Sequence, residues 1–133
     1  MELIKGYLID TNIAIAFLAG EPDAMSFARQ AKEDKMNIYF SVITECEVFS
    51  GLSTELRLKG IKLFNSRRCL DVTSLIAQKA GDLRRKQREK GRKLKTPDAL
   101  IIATATEYHL GLVSRDHDMS FVGDEFGIPL INL

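Results

Sequence analysis

Leu3-Ile4 and Tyr7-Leu8-Ile9 make a first apolar strand that runs into Asp10, and the chain passes at once into a short apolar helical pattern over residues 12–19 that Gly20 stops. An almost continuously apolar strand suits the centre of a parallel sheet, where both faces are covered. A carboxylate at the end of such a strand lies on the C-terminal edge of the sheet, where open α/β folds build their sites. The rest of the chain must then supply further parallel strands and the helices that cover them.

It does so in order. Glu21-Pro22-Asp23 opens a second helix with proline near its first position, and Ala24, Phe27, Ala28 and Ala31 fall on one buried face. Asn37-Ile38-Tyr39-Phe40 reads as a second strand, with Ser41 or Thr44 available to cap a helix carrying Glu45, Cys46, Glu47 and Val48 as far as Gly51. Another helix is expected over residues 53–65, with Leu56, Leu63 and Phe64 inward, before a brief third strand, Cys69-Leu70-Asp71-Val72. Thr73 or Ser74 caps a long helix whose Ile76, Ala77, Ala80 and Leu83 face the core. Thr96-Pro97-Asp98 reads as a capping threonine, a first-turn proline and an acid opening a helix over 99–109 that is apolar almost all round. Leu112-Val113-Ser114 forms a fourth strand, and Ile128-Pro129-Leu130-Ile131 a fifth whose proline points to a sheet edge. Strands alternating with helices, without repeat or linker, predict a three-layer α/β domain with a mainly parallel sheet. With 45% hydrophobic and 28% charged residues, a single domain spanning 1–133 is long enough to bury one sizeable core.

Several classes are disfavoured. No apolar run reaches the roughly 18 residues of a membrane span, and Met1-Glu2 does not begin a basic, then apolar, leader. A soluble, cytoplasmic protein is expected. Cys46 and Cys69 have no ligand-like spacing and lie in apolar stretches that want a small buried hydrophobe, which argues against disulfide or zinc roles. The formal charge of +1 conceals an asymmetry: residues 84–95 hold eight basic side chains and one acidic one, so this segment carries +7 and the remainder −6. Arg84, Arg85, Arg88, Arg92, Lys93 and Lys95 form a candidate phosphate-binding surface, set against the ordinary reading of a solvated helix face.

Asp10, Glu47, Asp98 and Asp116 all occur at strand-to-helix or helix-start junctions. If the first and fourth strands are neighbours, Asp10 and Asp116 converge, and helices starting from the same side bring Glu47 and Asp98 to them. Crowded carboxylates either take up protons or recruit cations. Oxygen donors without a histidine or cysteine cluster favour Mg²⁺ or Mn²⁺, with Asp118 as a further candidate ligand. Such a site suits phosphodiester hydrolysis by a metal-activated water. Taken singly, each acid has a simpler role. Asp10 could cap a helix, Thr44 and Glu47 could form a capping box, and Asp98 could complement a helix dipole for about 0.3–1 kcal/mol. Asp116 or Asp118 could be a turn residue. Their coincidence at one sheet edge favours the metal site.

Four blocks resemble the PIN-domain ribonuclease family, particularly the toxins of VapBC-type toxin–antitoxin pairs. They are Leu8-Ile9-Asp10-Thr11-Asn12, then 41–48 with its glutamate three residues after Thr44, then 96–105, and Leu112-Val113-Ser114-Arg115-Asp116. The resemblance selects Glu47 over Glu45 and implies that Asp10, Glu47, Asp98 and Asp116 are the catalytic and metal-holding acids. It implies that Asn12 and Ser114 hold those acids by hydrogen bonds; His117 is left outside the site, because a lone loop histidine more often faces solvent. It further implies strand order 3-2-1-4-5, a metal-dependent endoribonuclease of RNA, a homodimer, and a small antitoxin whose tail inserts a basic side chain among the acids. Alternatives are a stand-alone RNA-processing nuclease of the same fold and a non-catalytic RNA-binding or regulatory module, which would lack an acid. A phosphoacceptor domain would need paired acids after the first strand and another after the third; Asp71 alone does not supply them.

Overall fold

In the computed structural model, which describes residues 4–116 and 119–133, the chain order is β1 (Gly6–Ile9), α1 (Thr11–Leu18), α2 (Pro22–Glu33), β2 (Asn37–Ser41), α3 (Val42–Gly51), α4 (Arg57–Asn65), β3 (Arg68–Leu70), α5 (Ser74–Glu89), α6 (Thr96–Tyr108), β4 (Gly111–Ser114), α7 (Val122–Phe126) and β5 (Leu130–Asn132). The five strands form one sheet ordered β3-β2-β1-β4-β5. Every neighbouring pair is parallel, so the sheet is entirely rather than mainly parallel. Order 3-2-1-4-5 reverses direction between β1 and β4, and this switch point is where such sheets open a crevice.

Alternation along the central strands feeds two cores. Leu8 and Leu112 pack with Ile76 and Ala80 of α5 and with Ile101, Ile102 and Ala105 of α6. Ile9 and Val113 face the other way, against Ile13 and Ala14 of α1, Ala31 of α2, Val48 of α3 and Phe64 of α4. Helices therefore cover both faces and make the third layer. α6 is buried along most of its length, which explains its lack of a polar face.

Several local expectations need correction. Residues 53–65 do not form one helix: a 3₁₀ turn, Thr54–Leu56, precedes α4, and this turn leaves Leu56 47% exposed instead of inward. Ala77 is also exposed, because it sits about 100° around α5 from Ile76 and off the stripe that Ile76 and Ala80 share. Cys46 is exposed, lying midway between the buried Thr44 and Val48 and so on the opposite side of α3. Thr96 is the first residue of α6 and not its cap; Lys95 holds that place without a side-chain bond, and its carbonyl accepts from Ala99 N–H. The third strand ends at Leu70 because its partner β2 ends at Ser41, the residue that pairs with it. The fifth begins after Pro129, which has no N–H to give but whose carbonyl accepts from Leu112; the strand lies at the sheet edge as its proline indicates. Leu3, expected in the first strand, lies outside the described residues, and Ile4 precedes β1.

Two glycines separate packing from backbone entropy. At Gly6 a Cβ would meet the Asn37 carbonyl oxygen of β2 at 2.7 Å and the Tyr39 ring at 2.9 Å, whereas Gly81 on α5 faces open space. Gly6→Ala should destabilise the protein by about 1–3 kcal/mol through overpacking. Gly81→Ala should stabilise it by about 0.5–1 kcal/mol. Urea melts of the two variants check both signs.

Candidate active site

The crevice is built from β1 and β4 outward. Register pairs Ile9 with Val113, and Asp10 N–H extends the ladder by donating to Val113 O at 2.9 Å. Asp10 therefore lies level with Ser114 and immediately ahead of α1. It caps that helix through a bond from Thr11 N–H to Oδ1 at 2.8 Å. Its other oxygen accepts from Ser114 Oγ–H at 2.7 Å. The helix-cap reading is thus correct but incomplete, since capping occupies only one of the two oxygens.

Ser114 has a second task. Its Oγ accepts from Asp116 N–H at 3.0 Å, so one buried hydroxyl fixes both the Asp10 carboxylate and the backbone of Asp116. Asn12 Oδ1 accepts from Arg115 N–H at 3.3 Å, which binds the start of α1 to the segment leaving β4. Glu47 reaches the crevice from α3 and accepts from Thr11 Oγ–H at 2.6 Å. The capping-box alternative for Glu47 fails, because Ser41 caps α3 by accepting from Ile43 N–H and Thr44 is already inside the helix. Asp98 stands in the first turn of α6. His117 and Asp118 lie outside the described residues.

Electrostatics show that these acids share one field. The Asp98 carboxyl is pushed up to about 6, first by burial and then by the charges of Asp10, Asp116 and Glu47, with Lys95 opposing. Asp10 is also raised: burial drives it upward, the bonds from Ser114 and Thr11 pull it down, and Asp116 and Glu47 add repulsion. Among the described residues, no three acidic, histidine or cysteine side chains close into a cage around a metal position. Mg²⁺ does not need one, since it keeps several waters and completes its shell with one or two carboxylates and substrate phosphate. A repulsive, all-oxygen donor set with two acids biased toward protonation fits such a cation.

The basic segment does several different things. Arg85 pairs along its own helix with Asp82 and Glu89, and Arg84 donates to the Leu94 carbonyl. Gln87, buried at the end of α5, donates to Glu125 and accepts from Arg92, while Lys90 and Arg92 also pair with Glu125. This network aims the following loop at the acids. Arg92, Lys93 and Lys95 line a cleft of about 340 Å³ together with Asp98 and Asp116. Arg88 lies with Arg84, Arg92 and Lys93 around a smaller neighbouring hollow.

Two contributors have no sequence pattern that marks them. Thr11 is hidden by its neighbour Asp10, and only the approach of α3 reveals its bond to Glu47. Arg115, between Ser114 and Asp116, donates to Glu21 at 3.0 Å and to both oxygens of Asp23 at 2.9 and 2.8 Å, strapping the end of β4 to the start of α2. A lone arginine beside an acid gives no hint of partners more than ninety positions away.

Comparison with known proteins agrees with this architecture. Ribonuclease VapC10 of Mycobacterium tuberculosis (strain ATCC 25618 / H37Rv) is 32% identical over 107 residues, which is 80% of each chain. Among solved structures, a toxin–antitoxin complex from Klebsiella pneumoniae contains a chain 29% identical, with a TM-score of 0.71, covering 86% of this chain and 91% of that one. The DNA-bound VapBC of Salmonella typhimurium shares the fold at 22% identity, with a TM-score of 0.76 over 98% of both chains. The PIN domain family matches residues 7–125, and with nearly the whole chain accounted for, this protein belongs to that family.

Proposed function

We propose that this chain is an RNA-cleaving hydrolase, the toxin of a toxin–antitoxin pair, and that it works with Mg²⁺ or Mn²⁺ in the cytoplasm. The observation that carries the reading is the coupling of Asp10, Glu47, Asp98 and Asp116, acids brought from β1, α3, α6 and the end of β4 into one crevice. The names of the similar proteins, a ribonuclease and a toxin–antitoxin complex, support the same activity and the same kind of partner.

Asp10, Glu47, Asp98 and Asp116 would hold the cation. When bound, it supplies an activated water and neutralises charge on the scissile phosphate. The protein's own groups do the rest. Ser114 and Thr11 keep Asp10 and Glu47 in fixed orientations, so ligand reorganisation on binding is small. Lys93 and Lys95, beside Asp98, offset the negative potential that would otherwise repel an RNA backbone. Next to Glu47 opens an apolar groove of about 430 Å³ lined by Ile15, Leu18, Leu52 and Leu56, with Ile15 and Leu56 about half exposed. An apolar segment ending in a basic side chain suits a groove that leads into an acidic crevice, which supports an antitoxin tail as the silencing partner.

A stability measurement tests the field. A carboxyl raised from 3.8 to about 6 destabilises the folded state once it ionises, so the penalty is absent below about pH 4, grows as pH rises and is complete above about pH 6. Discounted for the half-open position of Asp98, Asp98→Asn should stabilise the metal-free protein by about 1 kcal/mol, or roughly 4 °C in Tm, at pH 8 in chelator. The gain should vanish near pH 4. An unchanged or lower Tm at pH 8 contradicts the crowded field.

Activity tests the chemistry. With structured RNA and Mg²⁺ or Mn²⁺, the wild type should cut at discrete positions and Asp98→Asn should be slower by about 100-fold or more. The same cations should raise the Tm of the wild type and leave that of Asp98→Asn nearly unmoved. Equal cleavage by both proteins removes Asp98 from the site, and cleavage undiminished in chelator removes the metal.

A further inference from the structure

The other edge of the sheet carries a second basic feature that the reading so far does not use. A cleft of about 630 Å³, larger than the one beside Asp98, opens where α2 ends and β2 and β3 begin. Lys32, Lys35, Arg67 and Arg68 line it with Asn37 and Tyr39, and no acidic side chain is in its wall. None of the four cations is in an ion pair among the described residues. Arg67 is engaged only by the Ser66 carbonyl at 3.5 Å. In residues 84–95, Arg85, Lys90 and Arg92 are paired with carboxylates of this same chain, and Lys93 and Lys95 share their cleft with Asp98 and Asp116.

Helix dipoles do not account for the cluster. The C-terminal ends of α2 and α4 border the cleft, and each helix end offers about half a negative charge. Two ends offset roughly one of the four cations, leaving a surplus of about three. Four like charges around one concavity repel one another, and that repulsion is relieved by a ligand with several negative charges at short spacing. Two neighbouring arginines add the planar fork that matches phosphate oxygens.

We propose that the cleft formed by Lys32, Lys35, Arg67 and Arg68 is a second contact for the phosphodiester backbone of the nucleic acid cut at the acidic crevice, gripping it away from the scissile bond. This rests on the reading of the chain as a ribonuclease. β2, five residues long, separates the two edges by about 13–17 Å, a span of a few base pairs of a folded RNA. The backbone of one hairpin can therefore touch both edges. Four cations in one wall favour a polyphosphate backbone over an acidic peptide, because two arginine forks and two lysine point charges match closely spaced phosphates.

The test uses the full chain with Asp98→Asn to prevent cutting, alone and combined with Lys32→Gln, Lys35→Asn, Arg67→Gln and Arg68→Gln. Asparagine is chosen at 35 because that residue has φ +57°. Binding of a labelled RNA hairpin is followed as salt rises from about 50 to about 200 mM. The cleft variant should bind at least tenfold more weakly at the lower salt, and the slope of log K against log salt should fall by about 3. Restoring charge with Lys32→Arg, Arg67→Lys and Arg68→Lys should restore most of the slope, which a folding defect would not allow. A DNA hairpin of the same sequence separates the sources of phosphate: equal loss assigns backbone charge alone, and loss with RNA only assigns A-form geometry. In the cleaving chain, with Asp98 in place, the cleft substitutions should raise KM for the hairpin and leave kcat within about twofold. Unchanged affinity and slope, with cleavage intact, overturns the second contact and leaves the nuclease reading standing. Binding of poly-glutamate as tight as that of the hairpin overturns it in favour of an acidic peptide. Failure of the wild type to cleave and of Asp98→Asn to bind any RNA overturns both.

Discussion

A single buried hydroxyl joins the two halves of the crevice. Ser114 donates to Asp10 and accepts from the backbone of Asp116, and both bonds exist only because β4 lies beside β1 in the register that sets Ile9 against Val113. Any order that does not set β4 beside β1 would separate Asp10 from Ser114 by the width of at least one further strand, roughly 5 Å, and dissolve the arrangement. The two cores on either face of the sheet are what fix that register. Leu8 and Leu112 are buried on one side and Ile9 and Val113 on the other, so a one-residue slip of either strand would exchange the sides and disrupt both cores at once.

That rigidity is set against a field that works the other way. Asp10 is almost fully buried and Asp98 partly so, and both are biased toward holding a proton, Asp98 in part by the charge of Asp10. Hydrogen bonds from Ser114 and Thr11 moderate the rise at Asp10, whereas at Asp98 it is the charge of Lys95 that opposes it. The crevice is thus less favourable for the metal-free protein than four neutral residues would be. A fold that tolerates this needs its stability elsewhere, and the long buried face of α6, with Ala99, Ile101, Ile102, Ala103 and Ala105 all shielded from solvent, is an obvious source.

Much of this was readable in the residues. Short apolar runs identified the strands, and the first-turn proline before Asp98 identified the start of α6, because these signals are local. The sheet order needed the resemblance to a family, since periodicity says which segments are strands and nothing about which are neighbours. The misplacements were also local in cause. Leu56 and Ala77 are hydrophobic and fall near the right spacing, but a tight turn and a 100° rotation put them in solvent. The straps were not readable at all: Arg115 with Asp23 and Thr11 with Glu47 join residues 92 and 36 positions apart, and neither pair belongs to a repeating pattern.

Charge was the property that sequence order misrepresented most. Residues 84–95 stand out because their cations are consecutive, yet Arg85, Lys90 and Arg92 are paired with carboxylates of the same surface, and Arg84 secures the loop before Asp98 by bonding Leu94. Lys32, Lys35, Arg67 and Arg68 attract no notice in the sequence, because they come from two separate stretches and Glu33 and Asp34 dilute the first. Folding gathers them around one cleft and leaves those acids out of its wall. The potential that a polyanion meets is set by which cations remain uncompensated at a given place. The edge opposite the acids gathers four cations in no ion pair around a wall without a carboxylate, whereas the densest run has three of its cations in ion pairs and sets Lys93 and Lys95 beside Asp98 and Asp116.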